Sequence, residues 1–359
     1  MASSHDIELF RTAVSILTIP RDQFWVFKSG ILEILYKLVD KVEGHDESDS
    51  ESEDEKQLVN SVHSLSIQRN KVGEQDSLDS QDDGLFFHLA FTPEEVTFMS
   101  SSALIRKYLA KPLALSKQLQ MGATLLDEDF LVLQVLSDGS VIGKKILELT
   151  APLSERKIPI FFISNYLSDI VLIPARHRDD AVDILENGVS SDTSSLEKET
   201  FNLFRSSSIK PVLNTAVKLL VTGARPGDLS VVLRRTAEAL AKHCTEQTDS
   251  KGSFLPYFAL TRTPTEDVGL LLPSSESELA KLNYPKAAIL GSLQDFFFPL
   301  FINLKSLPLD LKGIVAGVAS KLLKLGLDEM SYLSLGRSAV VLVPDNFQDT
   351  VQHMLEEVN

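Results

Sequence analysis

The 359-residue chain has a single cysteine, Cys244, so no disulfide can form within it. A reducing setting inside the cell, in the cytoplasm, is the expectation that follows. No run of about 18 apolar residues is present, so no membrane-spanning helix is expected. The opening residues, MASSHDIELFRTAV, lack a basic segment followed by an apolar core, so no secretory leader is expected. Basic residues are outnumbered, with 35 Lys and Arg against 50 Asp and Glu, and the net charge is −15. Against that charge no basic stripe stands out, which argues against a nucleic-acid partner. The seven histidines are scattered, and none sits with cysteine or carboxylates at metal-ligand spacing. The GxSxG, P-loop and HExxH signatures are missing too. No catalytic residue, no metal site and no cofactor are predicted, and the chain is not expected to be an enzyme.

What is present is a regular alternation of strand-like and helix-like stretches. At 43% hydrophobic residues the chain can bury a core, and its length suggests two or more domains. The most legible stretch runs from Phe130 to Gly188. Phe130 to Leu136 is an apolar run of strand length. Asp138, Gly139 and Ser140 make a turn that suits a helix start. Ile142, Ile146, Leu149 and Leu153 then recur at helical spacing, with Pro152 expected to loosen the last turn. Ile160 to Ile163 and Ile170 to Ile173 are two strands joined around Asn165. Asp179 to Glu186 is a second helix, with Gly188 as its cap.

Before this stretch, Phe10 to Leu17 is the first strand and a helix follows from Ser29, its apolar face being Ile31, Ile34, Leu35 and Leu38. Residues 43–84 then turn acidic and Ser-rich, too polar to fold alone, and read as a disordered insert. Ser48, Ser50 and Ser52 each have an acid three positions on, which resembles the preference of acidophilic kinases. Leu85 to Ser100 reads as strand, turn, strand, and Ser101 to Leu109 as a short helix before a poorly patterned connection. Val189 to Ser208, rich in Ser, Thr and Glu, reads as a linker.

The second half repeats the first. FFHLAFTPEEV from Phe86 matches YFALTRTPTEDV from Tyr257, and SNYLSDIVLIP from Ser164 matches SLGRSAVVLVP from Ser334, both about 170 residues apart. AVSIL from Ala13 matches AVKLL from Ala216 at a separation roughly 30 residues longer, which the acidic insert explains. The economical architecture is α+β: four ferredoxin-like βαββαβ units in two tandem pairs. The boundaries read as 8–127 for the first unit, 128–190 for the second, 191–209 for a linker, 210–290 for the third and 291–359 for the fourth.

The stretch from Phe130 resembles an ACT domain, and more closely the second ACT domain of the CASTOR family of cytosolic arginine sensors. Phe130-Leu131-Val132-Leu133, Leu149-Thr150-Ala151-Pro152-Leu153, Ile163 through Asp169 and Val171-Leu172-Ile173 carry the resemblance. It implies an amino-acid-binding regulator of TOR-pathway nutrient signalling, with the ligand between the second and fourth units. Gly313 and Ile314 match the family's glycine–isoleucine, and Ile160 matches an apolar contact of the second unit. With Val315 and the loop Leu335-Gly336-Arg337-Ser338, they form the candidate ligand site. A glycine at a helix start offers N–H groups to a carboxylate with no Cβ in the way. The family's late aspartate is Ala339 here, its glutamate before the glycine faces Leu311 with Asp310 next to it, and Pro159 replaces a serine. A buried guanidinium without a carboxylate is unfavourable, which argues against arginine as the ligand. Arg337 instead suits an acidic one. Tyr166 and Asp169 fall where the family's sensors meet their GATOR partner complex, although the glutamine between them is Leu167 here. A homodimer stays open. Two alternatives remain: a ligand-free interaction scaffold of the same fold, and a regulatory subunit of an amino-acid-metabolising enzyme.

Overall fold

The computed structural model describes residues 7–43, 65–66, 85–136, 142–187, 193–243, 254–308 and 312–358. The turn at Asp138 to Ser140, Gly188, Cys244, Asp310, Leu311 and the three serines of the acidic segment lie outside the described residues. So does the insert 43–84, apart from Glu43, Leu65 and Ser66.

Strands of β-branched and aromatic residues alternate with helices that are apolar on one side. The first quarter of the fold comprises β1 (Ile7–Pro20), α1 (Phe24–Glu43), β2 (Leu65–Ser66), β3 (Phe87–Phe91), β4 (Glu95–Ser101), α2 (Ser102–Gln118) and β5 (Thr124–Leu125). The second comprises β6 (Phe130–Leu136), α3 (Ile142–Glu155), β7 (Phe161–Ser164), β8 (Ser168–Pro174) and α4 (Arg178–Asn187). After α5 (Thr193–Ser206) and β9 (Val212–Leu213) come β10 (Leu219–Ala224), α6 (Leu229–His243), β11 (Phe258–Arg262), β12 (Val268–Pro273), α7 (Glu276–Leu282) and β13 (Ile289–Leu290). The last quarter comprises β14 (Phe297–Asn303), α8 (Ile314–Lys324), β15 (Ser331–Ser334), β16 (Ser338–Pro344) and α9 (Gln348–Val358).

The strands form one antiparallel sheet in the order β13-β10-β12-β11-β3-β4-β1-β6-β8-β7-β15-β16-β14-β9. Leu219 of β10 also pairs with Phe297 of β14, so twelve of the strands close into a barrel-like ring. Both faces of the ring are covered. On β6, Leu131, Leu133 and Val135 pack with helix residues such as Leu149 and Val318, while Phe130 and Val132 pack with strand residues such as Ile16 and Ile170. This explains the near-continuous apolar runs of these strands. Two seams join the repeated halves. At one, β3 pairs with β11 (Leu89 with Leu260), and at the other, β7 meets β15 (Ile163 with Leu333). Helices α1 and α6 pack over the first seam, and α3 and α8 over the second.

Three local expectations change. The first helix starts at Phe24, five residues before Ser29, because Phe24 and Phe27 extend its buried face. The helix after Ser101 runs to Gln118 through Pro112, where only a poorly patterned connection was expected past Leu109. Residues 191–209, expected as a linker, hold α5, in which Leu196, Thr200, Phe201 and Phe204 are buried. That stripe has helical spacing, but six other Ser, Thr and Glu residues of the helix mask it in the composition.

Candidate functional site

Three separate segments meet beside the second seam. Helix α8 begins at Gly313, whose φ of +83° is the left-handed conformation that glycine adopts without a Cβ penalty. The first N–H groups of a helix have no partner in the preceding turn, and here the two residues at the helix start, Ile314 and Val315, line a cavity. The loop between β15 and β16 forms a second wall, with Leu335, Gly336, Arg337 and Ser338. Ile160 and Phe161, at the start of β7, form the third. All eight ligand-site residues expected from the sequence thus line one cavity of about 60 Å³. Phe161, Leu304, Pro308, Tyr332, Ser334 and Ala339 complete its lining.

Ala339 already stood at the site through the resemblance, and Phe161 and Ser334 adjoin expected residues in the chain, whereas Leu304, Pro308 and Tyr332 reach the cavity through strand order rather than spacing. Ser334 accepts a hydrogen bond from the Phe162 N–H at 3.0 Å, across the seam. Its duplicate position, Ser164, was already visible in the repeat. The Tyr332 side chain is buried, and burial pushes its phenol above the ordinary range. Ala339 lies within the wall, so the position holds a methyl group rather than an acid.

The loop Leu335–Ser338 is fixed from the first quarter of the chain. Gly336 N–H donates to Thr97 Oγ1 at 3.0 Å. Glu95 Oε1 accepts from the Arg337 N–H at 3.3 Å and from Ser338 Oγ at 2.5 Å. Burial raises the Glu95 carboxyl pKa, and the Ser338 and Arg337 hydrogen bonds oppose that rise. A cavity wall is therefore tied to a buried carboxylate on β4.

Tyr166 and Asp169 are not neighbours on an open surface. Asp169 is 7% exposed and faces inward on β8. Burial pushes its pKa up to about 6, while Lys145 and a hydrogen bond from Ser164 pull it down. Such a side chain is not available to a partner in this structure. The Tyr166 ring is partly exposed and lies on the third quarter of the chain, against Gly223 and Gly291. A Cβ at Gly223 would come 2.8 Å from the ring, and one at Gly291 3.0 Å. Among the described residues no group of three or more His, Cys, Asp or Glu could hold a metal ion. No described helix is long and apolar enough to cross a membrane.

Comparison with known proteins finds an ACT domain, the family model matching residues 125–187. No curated protein matches the chain. Among solved structures it is similar to "Crystal Structure of Aspartate Kinase from Synechocystis", at 11% identity and a TM-score of 0.33. That match covers 99% of this chain and 56% of the other, so the chain spans about half the length of that protein.

Proposed function

We propose that the chain is an amino-acid-binding regulatory protein. It is built from four ferredoxin-like, ACT-type units in two tandem pairs, with the ligand between the second and fourth. The observation that carries the reading is the convergence of Ile160, Gly313–Val315 and Leu335–Ser338 on one cavity. The ACT domain at 125–187 supports it, since the β7 wall lies within that segment. The strand orders β3-β4-β1-β5 and β13-β10-β12-β11 support the four-unit reading, because each follows the ferredoxin-like order. In the other two quarters the segment of β1 from Ile7 to Phe10, and β9, stand in as the missing edge strands.

In this reading α8 and Arg337 receive the ligand's carboxylate, and no bond is made or broken. The protein acts by holding two states of different ligand affinity, and the tie from Ser338 to Glu95 carries occupancy to the first unit. The resemblance of the segment Ile163–Asp169 to CASTOR sensors supports a place in TOR-pathway nutrient signalling in the cytoplasm, with Tyr166, and not the buried Asp169, left to face a GATOR-like complex. The small cavity favours the second reading, a scaffold whose pocket is filled by its own side chains.

A thermal-shift screen over the free amino acids tests the first reading. Ligand at about 100 times its dissociation constant adds about 2.7 kcal/mol of stability. If no amino acid shifts the transition, the scaffold reading takes its place.

A further inference from the structure

We infer that the cavity selects a short, uncharged aliphatic amino acid, of alanine to valine size, over one with a cationic side chain. This rests on the proposed ligand site. Its carrier is a contrast between two positions that the duplication makes equivalent. On β8, Asp169 is buried and takes a hydrogen bond from Ser164. Lys145, the fourth residue of α3, is buried with it, and its ammonium also donates to the Leu136 carbonyl. An acid at this register is thus matched by a cation from the neighbouring helix.

On the cavity side both charges are gone. The register of Asp169 on β16 is Ala339, and the same separation of 170 residues puts Val315, in the cavity wall, opposite Lys145. Ser334, the counterpart of Ser164, is 7% exposed and has only a methyl group at the acid's register. Its hydroxyl can therefore donate to a ligand carboxylate in the cavity. The remaining wall is apolar, from Ile160, Phe161, Leu304 and Val315. A guanidinium or ammonium tail placed there would lose water and find no acid at residue 339. Size points the same way. The cavity of about 60 Å³ holds on the order of four to six water-sized groups, at about 10–15 Å³ each, which leaves no room for a long side chain.

The test is titration calorimetry on the full chain with alanine, valine, lysine and arginine, repeated on Ala339→Asp. The expected result is that valine binds at least about tenfold tighter than arginine, or about 1.4 kcal/mol. Ala339→Asp is expected to narrow that ratio by a similar factor. Lysine or arginine binding the wild-type chain as tightly as valine overturns the inference and leaves an amino-acid site standing. Failure of all four to bind, with no shift from any other amino acid, overturns the proposed function itself. The wild-type ratio decides the matter even if the variant does not fold.

Discussion

Ser164 and Ser334 hold each other's strands. Ser164 Oγ accepts the Tyr332 N–H at 3.0 Å, and Ser334 Oγ accepts the Phe162 N–H at 3.0 Å. The two serines are equivalent in the repeat, and so are Phe162 and Tyr332. The seam between β7 and β15 is therefore closed by one contact made twice. Each serine supplies an acceptor to a backbone donor that would otherwise be buried without one. Ser164→Ala and Ser334→Ala are each expected to cost about 1–3 kcal/mol in urea denaturation. Ser334→Ala should also weaken amino-acid binding, whereas Ser164→Ala, outside the cavity, should not.

Size is exchanged between the two equivalent loops of the repeat. Tyr166 rests on Gly223 and Gly291, while its counterpart, Gly336, rests on Thr18 and Thr97. A Cβ at Gly336 would come 1.6 Å from Thr18 Oγ1, and one at Gly269 1.3 Å from Asn165 Oδ1. Gly336→Ala and Gly269→Ala should each lower stability by about 1–3 kcal/mol, as overpacking does. Thr18→Ala should recover part of the first loss and Asn165→Ala part of the second. A double-mutant cycle on thermal unfolding checks both.

His88 predicts an acid limit to stability. It is fully buried on β3, with Nδ1 2.9 Å from Thr261 Oγ1 of β11. Burial lowers its pKa from 6.5 to about 3. The unfolded chain takes up the proton first, so this contribution is complete above about pH 6.5 and is lost as the pH falls toward 3. The loss is on the order of 5 kcal/mol over that window. Asp169 contributes with the opposite sign, since burial raises its pKa from 3.8 to about 6. Its stabilisation is present below about pH 4 and lost as the pH rises through 6. His88→Gln should flatten the acid limb of a stability–pH curve, and Asp169→Asn should remove the opposing slope.

Gly313 separates the cost of conformation from the cost of contact. Its φ is +83°, and the nearest atom to an added Cβ is Leu196 Cδ2, at an ordinary 3.6 Å. Gly313→Ala should therefore cost about 1–2 kcal/mol from backbone strain alone. It should also weaken amino-acid binding, because the helix start turns away from the left-handed conformation. Calorimetry and thermal unfolding on the same variant measure the two effects.

Helix α5 gives the last test. Phe204 is 1% exposed and packs in the same core as Ala319 and Leu322 of α8. Phe204→Ala should cost about 3–5 kcal/mol in denaturant unfolding. A linker side chain would cost almost nothing.

The repeat, the strand and helix succession and the corner at Gly313 were legible because each rests on local pattern. Apolar residues at period two or 3.6, and a glycine before a helix, act over a few bonds. A repeat needs only the chain's own two copies to be seen. Helix α5 was missed because Ser, Thr and Glu outnumber its four buried positions, and only the packing surface of α8 reveals that they share a face. The inward turn of Asp169 was missed for a similar reason. An aspartate beside a turn reads as solvated until Lys145 and Ser164 are brought to it by the preceding helix and strand. The sequence alone thus determined most of the strands and helices, α5 and the second half of α2 excepted, since these follow from local sterics and periodic hydrophobicity. Tertiary structure alone decided the closed ring, the joining of β7 to β15 and the cavity that their junction leaves. Those depend on which strand edges find each other across more than a hundred residues of chain, and no local preference encodes that choice.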